Sequence, residues 1–152
     1  MRVVNISQPM ITIRKAIQKN DLNCVYDIRR LVFIEEQQCP PEFEWEHEDE
    51  SVHFLAEVSG IPAGTARWRQ TNEGFKLQRF AVLKEFRGMG IGQALVAAVL
   101  KDLPADAQYV YLHGQIQACA LYEKFGFERE GEEFDEVGIR HYKMVLRLNE
   151  RS

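Results

Sequence analysis

A glycine-rich loop between a strand and a helix constrains this chain more than any other feature. Residues 87–92 (RGMGIG) contain three glycines and separate the alternating run 75–83 from the apolar run 91–103, which predicts a strand, a loop and a helix. Glycines keep side chains away from the loop, so its amides and the positive end of the helix can bind a single ligand. The loop therefore predicts a phosphate or pyrophosphate site to which Arg87 adds a cation. The alternative is a turn whose glycines serve only tight helix–strand packing.

Two common nucleotide-binding loops do not fit these residues. A Walker loop requires Gly-Lys-Ser/Thr at its end, whereas Gly92 is followed by Gln93. A dinucleotide fingerprint that began at Gly90 would need a small residue at Leu95, and one that began at Gly88 would need it at Gln93. Both alternatives are weakened.

Hydrophobic periodicity predicts six strands and three helices in the order β-α-β-β-β-α-β-α-β. The first helix is expected to be capped by Asn20 or Asp21. The β-α-β unit over 75–113 makes its two strands parallel neighbours, so ligands are expected at their carboxyl ends. The absence of repeats and linkers predicts a single domain over residues 1–152. The predicted strands are 10–17, 52–58, 63–70, 75–83, 109–112 and 141–148, and the two later helices are 91–103 and 118–125.

Composition excludes several classes of partner. The chain has 152 residues with a net charge of −4, whereas nucleic-acid binding requires a basic excess. No apolar run approaches the ~20 residues that span a bilayer, so no membrane partner is expected. Cys24, Cys39 and Cys119 are odd in number and scattered, which fits a reducing cytoplasm. Cys39, His47 and His53 lack a paired ligand spacing, so no metal is predicted.

The acidic charge is concentrated in one segment. Residues 35–52 hold eight acidic residues and neither Lys nor Arg. Such a segment could attract a cationic substrate, or it could be a solvated loop.

Two segments resemble the GCN5-related N-acetyltransferase (GNAT) superfamily. Residues 77–92 resemble its coenzyme A signature, with LQRFAV followed by Arg/Gln-x-x-Gly-x-Gly/Ala. Residues 115–127 (QIQACALYEKFGF) resemble its Asn-x-x-Ala-x-x-Leu-Tyr-x-x-x-Gly-Phe block. The resemblance implies an α/β (α+β) fold: a mixed, mostly antiparallel sheet with a central parallel β-α-β unit and helices on both faces. A narrower similarity to the small bacterial ElaA/YjcF-type branch rests on Arg29, Val32, Phe33, Glu36, Gln37, His53, Gly64, Arg67, Trp68, Arg69, His113, Gly114, Gln115, Gly138, Ile139 and His141.

The resemblance also implies acetyl-CoA as the cosubstrate. Backbone groups at Phe80, Ala81 and Val82 would bind the pantetheine arm and polarise the thioester carbonyl. Gln115 stands where the family usually has Asn, and it retains the amide donors. The pyrophosphate would be held by Arg87, Gly88, Met89, Gly90, Ile91, Gly92 and Gln93.

Tyr122 matches the tyrosine that GNAT enzymes use as a general acid, and its phenol would also contact the cofactor. A phenol with a pKa near ~10 can protonate the departing thiolate. The alternative is an apolar core position, because Phe125 and Phe127 lie close by in the sequence.

The general base is left open among five residues, which are Glu36, Glu44, Glu46, His53 and His113. Some family members use a glutamate on the strand before the loop, where this chain has Gln78. Glu36 and His113 are the leading catalytic candidates, and Glu36, Glu44, Glu46 and His53 are candidates for binding the acceptor.

The function expected from this sequence is transfer of an acetyl group to a primary amine of a small molecule or peptide by direct attack. An acyl-cysteine at Cys119 is not expected, because no neighbouring base stands out. Two alternatives are a non-catalytic acyl-CoA sensor and an enzyme that modifies one partner protein. A homodimer formed through the final strand also stays open.

Overall fold

The computed structural model describes residues 10–41 and 45–148, which form a seven-stranded sheet in the order β1-β2-β3-β4-β5-β7-β6. In these ranges no helix is long and apolar enough to cross a membrane. The strands are β1 (Ile11–Lys15), β2 (Val52–Val58), β3 (Ile61–Gln70), β4 (Phe75–Val82), β5 (Tyr109–Gln115), β6 (Glu128–Glu136) and β7 (Ile139–Arg147). The helices are α1 (Lys19–Arg29), which continues as a π-helix over Arg30–Glu36, α2 (Ile91–Asp102) and α3 (Cys119–Glu123), and 3₁₀ turns span Lys84–Phe86 and Ile116–Ala118.

Helices cover both faces of the sheet, because successive strand residues point to opposite sides. On β2, Phe54 and Ala56 belong to the core on the α2 side, whereas Leu55 packs with Val25 and Ile28 of α1. Only β4 and β5 are parallel among the described strand pairs. The predicted fold class is therefore confirmed.

The parallel pair separates soon after it begins. β4 and β5 pair only at Phe75–Leu77 with Val110–Leu112, although both strands continue beyond these residues. Arg79 has a φ of 60°, and the register of β4 against β3 shifts between Gln78 and Ala81. One residue of β3 thus lies opposite two of β4, which is a β-bulge that bends the strand. The bend leaves a gap between β4 and β5 at their carboxyl ends.

One strand, β6, is absent from the sequence prediction. Its residues, EREGEEFDE, are mostly charged and mostly exposed, so they show no apolar alternation. Main-chain pairing with β7 makes it a strand at the edge of the sheet. The structure also argues against a homodimer that pairs through the final strand, because β7 is paired on one side with β5 and on the other with β6.

The first helix begins and ends differently from the prediction. Its N-cap is Gln18, so the expected cap at Asn20 or Asp21 is wrong. The Asp21 carboxylate instead accepts two hydrogen bonds from Arg14, at 3.2 and 2.9 Å. The helix then widens into π-helical turns that end at Glu36, close to the glycine-rich loop.

A buried ion cluster holds the acidic segment against the sheet. Arg29 and Arg67 are each only 1% exposed, and the carboxylate of Glu48 accepts hydrogen bonds from both, at 2.5 and 3.0 Å. The backbone carbonyl of Glu48 lies 3.1 Å from His53 Nε2. Glu48 thereby connects α1, β2 and β3, so this part of the acidic segment is structural rather than a solvated loop.

Replacing Glu48 should destabilise the fold. In Glu48→Ala the two buried guanidinium groups lose their shared carboxylate, and we expect a loss of about 3 kcal/mol in the free energy of unfolding. Burial alone would raise the pKa of Glu48, but the Arg29 hydrogen bond and the charges of Arg29 and Arg67 hold it below its ordinary value of 4.5. The stabilisation is therefore complete above pH 4.5 and is lost as the pH falls through the lower, folded-state pKa.

The loss of stability is measured by urea unfolding of the wild type and Glu48→Ala, at neutral pH and at pH values below 4.5. Glu50→Gln is the matched control, because Glu50 is an exposed carboxylate of the same segment, and it should change stability by less than about 0.5 kcal/mol. Equal stability of the wild type and Glu48→Ala at neutral pH would contradict the structural role.

Candidate active site

A cavity of about 300 Å³ lies in the gap between β4 and β5. It reaches both sides of the sheet, since it contacts core residues on the α2 side and polar residues on the α1 side. The α2 side contributes Leu77, Phe80, Leu112 and Tyr122, and the opposite side contributes Gln37, Glu46, Arg69, Lys76, Gln78, His113 and Glu136. A molecule in this cavity can therefore be approached from two directions.

The glycine-rich loop leaves amide donors without partners at the start of α2. Gly88 and Gly90 have φ values of 84° and 85°, a region that favours glycine. Gly90 is the N-cap of α2 and provides no side-chain cap. The first intrahelical bond runs from the Ala94 amide to the Gly90 carbonyl, at 3.0 Å. The amides of residues 91–93 consequently lack intrahelical partners and can bind an anion.

Arg87 and Glu36 form a bidentate ion pair beside this loop. The Arg87 guanidinium donates to both Glu36 oxygens, at 2.7 and 2.8 Å, and its Nε donates to the Val82 carbonyl, at 2.9 Å. The hydrogen bond from Arg87 lowers the pKa of Glu36. Glu36 is therefore held as a carboxylate at Arg87 and is not among the residues that line the cavity.

The end of β4 is paired with β3 along one edge, and its other edge faces the gap. Of the three predicted positions there, Phe80 lines the cavity, and its ring packs edge-on against Tyr122 at 5.6 Å between centroids. Ala81 is buried on the α1 side. The carbonyl of Val82 is bound by Arg87. A Cβ at Gly64, on β3, would lie 3.0 Å from the Ala81 oxygen, so glycine is needed there for close packing.

Tyr122 is a core residue that also lines the cavity. It is 6% exposed and packs against Phe127, and its hydroxyl makes no hydrogen bond within the described ranges. Burial raises the pKa of Tyr122, with a smaller contribution from Cys119. The phenol therefore remains protonated and able to donate a proton into the cavity. A Cβ at Gly114 would lie 3.1 Å from Leu112 and 3.3 Å from Met144, which is tighter than ordinary packing.

His113 pairs with a carboxylate that the sequence prediction missed. Its Nδ1 lies 3.0 Å from Glu136 Oε1, and the hydrogen bond from His113 lowers the pKa of Glu136. An ionised Glu136 accepts the Nδ1 proton, so the second ring nitrogen, Nε2, carries the lone pair. His141 Nε2 lies 3.7 Å from the other Glu136 oxygen. The signal that could have found Glu136 is the Val137-Gly138 turn before the last strand, which is typical of a hairpin.

The remaining predicted residues lie in different places. Glu46 lines the cavity. Gln115 also lines it and donates a hydrogen bond to Gln37, at 3.0 Å. His53 is buried at the Glu48 cluster, away from the cavity lining. Glu44 lies outside the described residues.

The environment of Cys119 makes it an unsuitable nucleophile. Cys119 is fully buried, and burial raises the pKa of its thiol. A thiol in this environment stays protonated and unreactive. Across residues 10–41 and 45–148, no group of three or more His, Cys, Asp or Glu side chains is placed to hold a metal ion.

Alkaline titration should distinguish Tyr122 from an exposed tyrosine. Because its pKa is raised, Tyr122→Phe should leave the native tyrosinate absorbance unchanged up to about pH 11. In guanidinium the same variant should lose the signal of one of the five tyrosines. A reduced absorbance change in the native variant would mean that Tyr122 ionises in the fold, which would contradict the raised pKa.

Comparison with known proteins agrees with this geometry. YjcF of Bacillus subtilis, which is named as an uncharacterized N-acetyltransferase, is 36% identical over 138 residues, covering 87% of this chain and 98% of YjcF. The crystal structure of Escherichia coli ElaA has a TM-score of 0.77 at 24% identity, covering 90% of this chain and 99% of ElaA. A Bacillus subtilis acetyltransferase solved in complex with CoA has a TM-score of 0.69 at 20% identity, covering 92% of this chain and 100% of that structure.

The two structural likenesses establish the shared fold. The resemblance to the ElaA/YjcF-type branch, first drawn from the motifs, is confirmed by the similarity to YjcF and ElaA. The family model described as an acetyltransferase (GNAT) domain matches residues 30–148. This chain belongs to the GNAT acetyltransferase family.

Proposed function

We propose that this protein transfers the acetyl group of acetyl-CoA to a primary amine of a small molecule or peptide by direct attack. The observation that carries the proposal is the cavity between β4 and β5, into which a protonated Tyr122 and the His113–Glu136 pair both project. A proton donor and a proton acceptor at one cavity are the groups that acyl transfer to an amine requires.

In this proposal the coenzyme enters from the α2 side. The amides of residues 91–93 bind the diphosphate, because they lack intrahelical partners and lie at the positive end of α2. Arg87 adds a cation once it exchanges Glu36 for the diphosphate. The edge of β4 at residues 80–82, which does not pair with β5, binds the pantetheine arm. This arrangement places the thioester in the gap.

The acceptor approaches from the α1 side, where His113 lies. An alkylamine with a pKa near ~10.4 is mostly protonated at neutral pH, so it must lose a proton before it attacks. His113 Nε2 accepts that proton, and Glu136 positions the imidazole through Nδ1. Glu46 is predicted from the sequence to bind the acceptor, and it also lines this cavity. Its carboxylate attracts the ammonium form of the amine.

The transfer balances in protons and electrons. The amine nitrogen forms a bond to the carbonyl carbon, and the negative charge on the oxygen is stabilised by backbone amides of β4. The carbon–sulfur bond then breaks with its electron pair on sulfur, and Tyr122 donates a proton to the thiolate. The nitrogen loses its second proton as the amide forms, and this proton passes through solvent to the Tyr122 phenolate. The proton held by His113 is released to solvent, so both residues return to their starting states. The direct route needs no acyl-cysteine, which agrees with the burial of Cys119.

Tyr122→Phe should lower kcat for thiol release from acetyl-CoA by about 100-fold, because the thiolate would leave without a proton. The measurement is CoA release in the presence of a panel of primary amines. Calorimetry should show that the variant still binds CoA, since the amides of residues 91–93 are unchanged.

Two outcomes would contradict this assignment in different ways. Binding of CoA without turnover on any amine would favour an acyl-CoA sensor. Turnover on only one partner protein would favour a protein-modifying enzyme.

His113→Ala should lower kcat/KM for the amine by about 100-fold, because the base is absent. Added imidazole should restore part of the activity of His113→Ala and none of the activity of Tyr122→Phe. Glu136→Gln should lower kcat about tenfold, since an amide can donate to Nδ1 and so place the imidazole proton on Nε2. An undiminished kcat/KM in His113→Ala would assign the base elsewhere.

A further inference from the structure

Two cations line the cavity side by side on neighbouring strands. Lys76 of β4 is the register partner of Arg69 of β3, and both residues line the cavity. Arg69 Nε donates to Gln78 Oε1, at 3.1 Å, and its guanidinium lies 3.9 Å from the exposed carboxylate of Glu50. Lys76 forms no hydrogen bond or ion pair with the described part of the chain.

The surroundings of Lys76 do not neutralise its charge. The side chain is half-buried, and burial lowers its pKa. The carboxylate of Glu136 raises this pKa, whereas three arginines, Arg69, Arg79 and Arg67, lower it further. Glu136 is committed to His113, at 3.0 Å. A half-buried ammonium without a counter-ion is unfavourable, and an anion in the cavity would relieve it.

The two kinds of charge at the cavity fit the two ends of one small molecule. Glu46 is a carboxylate that can attract an ammonium group. Lys76 and Arg69 can bind an anionic group with charge-assisted hydrogen bonds. A cavity of about 300 Å³ is at the small end of the range for ligand sites. These charges therefore favour a compact acceptor with both signs of charge.

We propose that the acceptor amine carries an anionic group, a carboxylate or a phosphate, which binds Lys76 and Arg69 while the nitrogen lies at His113. This inference rests on the proposed function, because it names the substrate class of the same cavity. It also adds an anionic group to the cationic substrate that the acidic segment could attract. The acidic segment contributes Glu46 to the cavity, whereas Glu48 is held by Arg29 and Arg67.

The test is the binding of matched amines that differ only in the anionic group. Calorimetry with protein in excess CoA compares β-alanine with β-alaninamide, and O-phosphoethanolamine with ethanolamine. The two pairs distinguish a carboxylate from a phosphate. The variants are Lys76→Met, which keeps the aliphatic stem, and Lys76→Arg, which keeps the charge. Lys101→Met is the control, because Lys101 is exposed on α2 and is not part of the cavity lining.

We expect at least one anionic amine to bind at least tenfold more tightly than its neutral partner. Lys76→Met should reduce that ratio by about tenfold, whereas Lys76→Arg and Lys101→Met should retain most of it. Equal binding of both members of each pair, or a ratio that survives in Lys76→Met, would overturn the inference. Circular dichroism of Lys76→Met checks that the variant is folded. If it is not, Arg69→Met, which removes the other cation of the cavity, should reduce the same ratio.

Turnover of the same amines separates this inference from the proposed function. If anionic amines bind through Lys76 and none is acetylated, the acceptor inference holds and the enzymatic assignment fails. If neutral and anionic amines are acetylated equally well, and Lys76→Met does not change their turnover, the enzymatic assignment holds and the acceptor inference fails.

Discussion

The early separation of β4 from β5 is the constraint on which the rest of the structure depends. Three residue pairs join the two strands, and the bulge at Arg79 then turns β4 away. Continuous pairing would close the cavity and satisfy the free edge of β4. It would also place the sheet between Tyr122 and His113, which now contact one cavity from opposite sides. A defect in the sheet thus creates the site.

The buried charges around Glu48 support this opening from the α1 side. A β-sheet with a gap has fewer main-chain hydrogen bonds across its centre, so other contacts must hold the layers that cover it. Arg29 on α1 and Arg67 on β3 share one carboxylate from the acidic segment. These contacts join a helix, the sheet and a loop at one point. The same loop contributes Glu46 to the cavity, so the ion cluster also positions part of the site.

Local patterns in the sequence predict the parts of the fold that depend on neighbouring residues. The glycine-rich loop and α2 follow from the positive φ of Gly88 and Gly90 and from apolar periodicity. The partner of His113 could not be predicted in the same way, because Glu136 lies on a strand without apolar alternation. The role of Glu48 depends on arginines 19 residues away in either direction, and no local pattern encodes that distance. Sequence alone also gives no preference between Glu36 and His113, which the fold places at different sites.

The charged outer strand β6 has a consequence for how copies of this protein meet. An uncovered sheet edge offers main-chain donors and acceptors to any extended chain, and it can seed fibrous growth. Here the edge consists of EREGEEFDE, in which acidic side chains greatly outnumber basic ones. Two such edges repel each other before their backbones come within hydrogen-bonding range. The charged residues that leave β6 without apolar alternation therefore also protect this edge against edge-to-edge aggregation.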